Sequence, residues 1–103
     1  MITEILTSTG LPFRETQFSR EPAGDYIVYH DDVDADGPDG YNRIFTHNIT
    51  VELYALGPNP EAEAAIEAGL NLLGFHWSKQ SRVWVEGAQR YQTVYEFNYI
   101  TKT

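Results

Sequence analysis

The chain has 103 residues and reads as a single domain spanning residues 1–103, with room for a modest core. Its 15 acidic residues outnumber its 7 basic ones for a formal net charge of −8, which argues against binding nucleic acid by phosphate neutralisation. The absence of cysteine excludes disulfides and thiolate chemistry. No apolar run is long enough to span a bilayer, and no opening segment reads as a secretion signal.

Ile2, Ile5 and Leu6 fall at helical spacing ahead of Gly10-Leu11-Pro12, which predicts a short helix over residues 2–9. Residues 13–18 read as a short edge strand. The run Tyr26 to Asp31 follows the turn-forming Pro22-Ala23-Gly24-Asp25 and reads as a second strand. Residues 32–42 are rich in Asp, Gly and Pro and read as a loop.

The next stretch organises the rest. From Phe45 to Ala55 the odd positions are Phe45, His47, Ile49, Val51, Leu53 and Ala55, and the even ones are mostly polar. Side chains alternate faces along a strand, so this is a long strand with one apolar face. Gly57-Pro58-Asn59-Pro60 stops it, because proline cannot donate to a ladder. Asn59 suits an N-cap, Pro60 the first helical position, and Glu61 and Glu63 the first turn, where the helix dipole favours anions. Ala62, Ala65, Ile66, Gly69, Leu70 and Leu73 then form an apolar stripe, and Gly74 ends the helix. Residues 75–78 and 82–86 suggest one strand with a kink, turned at Gly87-Ala88. Residues 90–101 make the last long strand, whose odd positions Tyr91, Thr93, Tyr95, Phe97 and Tyr99 are nearly all aromatic. The implied class is α+β: about four mainly antiparallel strands with two helices packed on one face.

Chemistry-bearing patterns are few. Asp32, Asp34, Asp36 and Gly37 match the first half of a calcium loop, within the acidic run 31–39. The second half does not match, since position 12 is Arg43 and position 8 is Asp39. The competing reading is a solvated acidic hairpin loop whose like charges prevent edge-to-edge sticking. If the two central strands pair, His30 and His47 could be neighbours beside Asp31, still short of the ligands zinc needs. There is no nucleophile elbow and no glycine-rich phosphate loop, so no enzymatic role is expected and no cofactor is implied. The last strand's aromatic face reads mostly as core. Trp77, Trp84 and several tyrosines remain as a surplus that favours a subunit interface.

The combination resembles the small tail-terminator (tail-completion, head–tail joining) proteins of long-tailed phages and prophages. The matching stretches are Thr9-Gly10-Leu11-Pro12 after the first helix, Tyr26-Ile27-Val28-Tyr29, Asn48-Ile49-Thr50-Val51-Glu52-Leu53-Tyr54, Pro60-Glu61-Ala62-Glu63, and Tyr91-Gln92-Thr93-Val94-Tyr95-Glu96-Phe97. The resemblance covers nearly the whole chain through scaffold patterns. It implies an α+β protomer that assembles into a ring, commonly a hexamer, at the head-proximal end of the tail tube. Such a ring stops tube polymerisation and joins tail to head, touching the tail tube protein and a head-completion or connector protein. The implied location is the virion, and the host cytoplasm during assembly. An acidic stretch facing the lumen would let DNA pass without sticking. Tyr54, Trp84 and Tyr99 are the expected interface anchors. The alternative is a small calcium- or ligand-binding module using the acidic 31–39 segment.

Overall fold

The computed structural model describes residues 2–36 and 44–102. Its elements in chain order are α1 (Ile2–Thr7), β1 (Phe13–Glu15), β2 (Tyr26–Asp36), β3 (Ile44–Ala55), α2 (Pro60–Leu72), β4 (Trp77–Lys79), β5 (Val83–Val85) and β6 (Arg90–Lys102). They form an α+β layer, with six strands where the sequence suggests four. The sheet order is β1-β2-β3-β6-β4, and β5 also pairs with β6. All pairings are antiparallel except β1 with β2.

β3 is central because its alternation is the cleanest in the chain. Ile49, Val51, Leu53 and Ala55 are all buried on one face. Their partners Ile27 on β2 and Tyr95 and Phe97 on β6 share that face. The helices cover it: Ile66 and Leu70 of α2 and Leu6 of α1 are fully enclosed and join the same core cluster. α2 begins as its sequence dictates. The Asn59 side chain accepts the Ala62 N–H at 3.1 Å, and Asp25 in turn accepts from the Asn59 amide at 2.8 Å. Gly74 closes the helix at φ 78, in the left-handed region that favours glycine. Gly69 has a different task. A Cβ there would lie 2.9 Å from Cγ2 of Ile5, so only glycine lets α1 settle this closely on α2.

Two differences from the sequence reading stand out. First, β2 does not stop at Asp31. It runs on to Asp36, with Asp32 opposite Asn48, Asp34 opposite Thr46 and Asp36 opposite Ile44. The aspartates have poor strand propensity, but β3 offers a continuous ladder that overrides it. The rest of the expected loop, residues 37–42, lies outside the described residues. Second, the kinked strand is two short strands in one edge, β4 and β5. Their register against β6 changes by one residue between Lys79↔Tyr95 and Val83↔Gln92. One extra residue therefore sits in the edge between Lys79 and Val83, which is a β-bulge.

The sheet outruns its helices. Residues 32–36, 44–48 and 98–102 form a three-stranded arm beyond the core. The molecule accordingly measures 47 × 29 × 22 Å, with a radius of gyration of 15.0 Å, against about 13 Å for a compact chain of this length. The opposite, helix-free face is not bare throughout. Tyr26 and Val28 are buried on it, because residues 16–25 fold back across them. Phe18 packs edge-on against Tyr26. Arg90 holds that segment down by donating to the carbonyls of Pro22, Ala23 and Gly24 while its guanidinium lies 5.7 Å from the Tyr26 ring centroid.

Candidate functional site

The calcium reading depends on Asp32, Asp34 and Asp36 converging on one point, and the strand prevents it. Alternate residues of a strand lie about 6.6 Å apart in a row, whereas calcium ligands must approach to about 2.3–2.6 Å. The Asp34 carboxylate instead accepts from the Asn48 amide at 3.0 Å. Asp39 and Arg43 of the motif lie outside the described residues. Among the described residues, no group of three or more His, Cys, Asp or Glu side chains could hold a metal ion.

The two strand histidines do not meet, although β2 and β3 do pair. His30 lies opposite Thr50 and His47 opposite Val33, positions of opposite parity and so on opposite faces. His30 lies 3.5 Å from the Glu52 carboxylate on the helix-free face. His47 lies on the helix side, where Nδ1 meets the Asp31 carboxylate at 3.1 Å and Nε2 meets the Thr101 hydroxyl at 3.1 Å. Its ring stacks on Tyr99 with centroids 4.5 Å apart. The carboxylate–imidazole–hydroxyl order is that of a general-base relay. Here it ties three strands together at the root of the arm, one residue from each.

The expected interface anchors occupy three separate places. Tyr54 lies on the helix-free face, stacked on Tyr26, its hydroxyl donating to Glu52 at 2.8 Å and accepting from Gln92 at 2.9 Å. Burial and the Glu52 carboxylate push its phenol up to about 12. Trp84 sits on the β5 edge, 45% exposed, with its indole N–H donating to Glu86 and its ring edge-on to Tyr91. The bulge decides its direction: the one-residue shift sets Trp84 opposite Tyr91 and so on the helix side of the sheet. Tyr99 is half-buried between His47 and Phe75. Burial first, then the Asp31 charge, raises its phenol.

A charged cluster not foreseen from the sequence links the β4–β5 edge to α2. Lys79 donates to Glu63 at 2.7 Å and to Glu67 at 2.8 Å, and Arg82 donates to Glu63 at 2.7 Å. The buried Tyr95 hydroxyl donates to Glu67 at 2.7 Å. Burial alone would raise the Glu63 carboxyl, but the hydrogen bonds from Lys79 and Arg82 outweigh it and hold it below its ordinary value. The signal available in the sequence was the pair Glu63 and Glu67, one helical turn apart.

Apolar side chains also remain uncovered: Leu72 at the end of α2 is 87% exposed, Ile100 on the arm 60% and Val33 on the arm 48%. No helix among the described residues is long and apolar enough to cross a membrane.

No protein-family model matches the chain, and no curated protein matches it. The fold is shared with a chain in the structure of the virion of a native gene transfer agent (GTA) particle. The TM-score is 0.64 over 96% of this chain and 84% of that one, at 15% sequence identity. At that identity the likeness establishes the fold.

Proposed function

We propose that this chain is a structural protein of a phage-like particle, acting as a tail terminator. It forms a ring, hexameric in the manner its sequence resemblance implies, at the head-proximal end of the tail tube. There it stops tube polymerisation and joins tail to head. The observation that carries this reading is the fold shared, across nearly the whole chain, with a component of a gene transfer agent virion.

Several features support it. The role needs extended surfaces and no catalysis, and the chain spends its length on a sheet that outruns its core. The partners on this reading are further copies of the chain, the tail tube protein and a head-completion or connector protein, first in the host cytoplasm and then in the virion. The row Asp32, Asp34 and Asp36 on the helix-free face would repel DNA phosphates if that face lines the lumen. Ring closure requires contact between unlike faces of adjacent copies. Tyr54, Trp84 and Tyr99 are assigned to those contacts, with Trp84 the most accessible of the three.

The test is complementation. Particles made without this protein should carry tails of abnormal length that fail to join heads, and supplying the chain should restore both. Normal tails joined to heads in its absence would sink the reading.

A further inference from the structure

Among the described residues, both edges of the arm are open over the same stretch. β1 covers the outer side of β2 only as far as Glu15, opposite Tyr29. The Thr16 N–H adds one more bond, to the Tyr29 carbonyl. β4 covers the outer side of β6 only as far as Trp77, opposite Phe97. Beyond these points, among the described residues, no strand pairs with the outer side of β2 from His30 to Asp36 or of β6 from Asn98 to Lys102.

The two open edges also match in height. β3 lies between them and sets the levels: Asn48 is opposite both Asp32 and Asn98, Thr46 opposite Asp34 and Ile100, and Ile44 opposite Asp36 and Lys102. Each edge therefore offers the same five levels, about 16 Å of ladder. Because β2 and β6 each run antiparallel to β3, they run parallel to each other. A neighbouring copy related by rotation about a common axis would bring its β6 edge parallel to this β2 edge, without reversal. That is the sense in which β1 already pairs with β2.

The edges are chemically unlike. The β2 row is Asp32, Asp34 and Asp36, and the β6 row at the same levels is Asn98, Ile100 and Lys102. Two β2 edges brought together would set carboxylates against carboxylates, which blocks like-with-like pairing. Unlike pairing sets the Lys102 ammonium at the level of Asp36 and the Asn98 amide at the level of Asp32. It would also cover part of the exposed Val33 and Ile100 side chains.

We propose that the β2 edge of one copy pairs with the β6 edge of a second copy, continuing the sheet across a head-to-tail junction. This deepens the ring reading and rests on it for closure of the assembly, but not for the contact itself.

Disulfide trapping tests it, since the chain has no cysteine of its own. In the double variant Asp34→Cys/Ile100→Cys the two thiols of one chain are separated by β3. Two strand spacings amount to about 9.5 Å, beyond the roughly 7 Å between Cα atoms that a disulfide spans. Mild oxidation in concentrated solution should then give a ladder of covalent multimers on a non-reducing gel. Mixed single variants should stop at dimers. Asp32→Cys/Asn98→Cys repeats the test two levels nearer the core, and circular dichroism checks that each variant is folded. No ladder from either folded pair would overturn the proposal, as would dimers of Ile100→Cys alone forming as fast as the mixed pair. Light scattering separates this from the ring reading. A ring-sized wild type without a ladder keeps the ring and places its contact elsewhere. A ladder that never closes keeps the edge pairing and removes the ring.

Discussion

The covered half of the sheet and the arm share β2, β3 and β6, yet they are held together by different means. In the covered half, apolar side chains meet two helices, and Ile27, Val51, Leu53, Ile66, Leu70 and Tyr95 are fully enclosed. In the arm, cohesion comes from ladder bonds and from polar links such as His47 with Asp31 and Thr101. The residues on the arm's helix side are half-buried or exposed except near its root. Burial supplies most of a domain's stability, so the arm adds little to the fold and keeps its surface for contacts.

The sharpest way to break this comparison is at the core. Leu70→Ala should cost about 2–5 kcal/mol, the range for an enclosed leucine, while Leu72→Ala two residues away should change little. Urea unfolding of both variants checks it, and equal effects would show that α2 does not dock through Leu70.

The Glu63 cluster comes next. Glu63→Gln should cost about 1–3 kcal/mol at neutral pH, in the range for a charged hydrogen bond, discounted because Lys79 and Arg82 are partly exposed. The folded carboxyl titrates below its ordinary value near 4.5. Its stabilisation is therefore present above that pH and lost as pH falls through the lower folded value. The gap between wild type and variant in thermal melts should narrow below pH 4.5 and stay constant above the ordinary glutamate range.

Gly69→Ala sets two effects against each other. Alanine gains about 1 kcal/mol in helix propensity, but the added methyl meets Ile5, and overpacking costs about 1–3 kcal/mol. A net loss of about 1 kcal/mol is expected, and Gly69→Ala combined with Ile5→Val should recover part of it.

In the arm, Asp34→Asn with Asp36→Asn should move stability by no more than about 0.5 kcal/mol, as for surface substitutions generally. Added calcium should leave the wild-type melting temperature unchanged. Strong stabilisation at micromolar calcium would overturn the geometry assigned to the aspartates.

Much of the covered half was legible in the sequence. The alternation from Phe45 to Ala55 and the Asn59–Pro60 opening of α2 are local signals, and local signals report local structure faithfully. Leu73 shows the limit: it continues the apolar stripe but falls at the cap, past the last covered turn, and is exposed. The arm was hidden because its second strand is written in aspartates, which mark loops when read alone and become a strand only beside β3. The placement of His30 and His47 on opposite faces turned on a one-residue parity that only the register fixes. The folding of residues 16–25 over Tyr26 had no periodic signal, since it depends on Arg90, far away in sequence. As for the candidate surface, the aromatic surplus pointed to Tyr54, Trp84 and Tyr99, but nothing in their spacing told that they lie in three places. The open edges of β2 and β6 follow from sheet order alone.

The extra residue between Lys79 and Val83 acts like slack in a seam. It takes up a surplus of one residue, so that β4 and β5 each keep their own register against β6. Ser81 is exposed and should accept many replacements. Deleting it would close the bulge into a regular ladder that leaves Val83 opposite Gln92 and Trp84 opposite Tyr91, still on the helix side, and sets Arg82 opposite Thr93 on the side of Glu63. A mutational scan of this edge should therefore find Ser81 tolerant of both substitution and loss, whereas loss of a residue within Val83–Val85 should disturb the facing of Trp84.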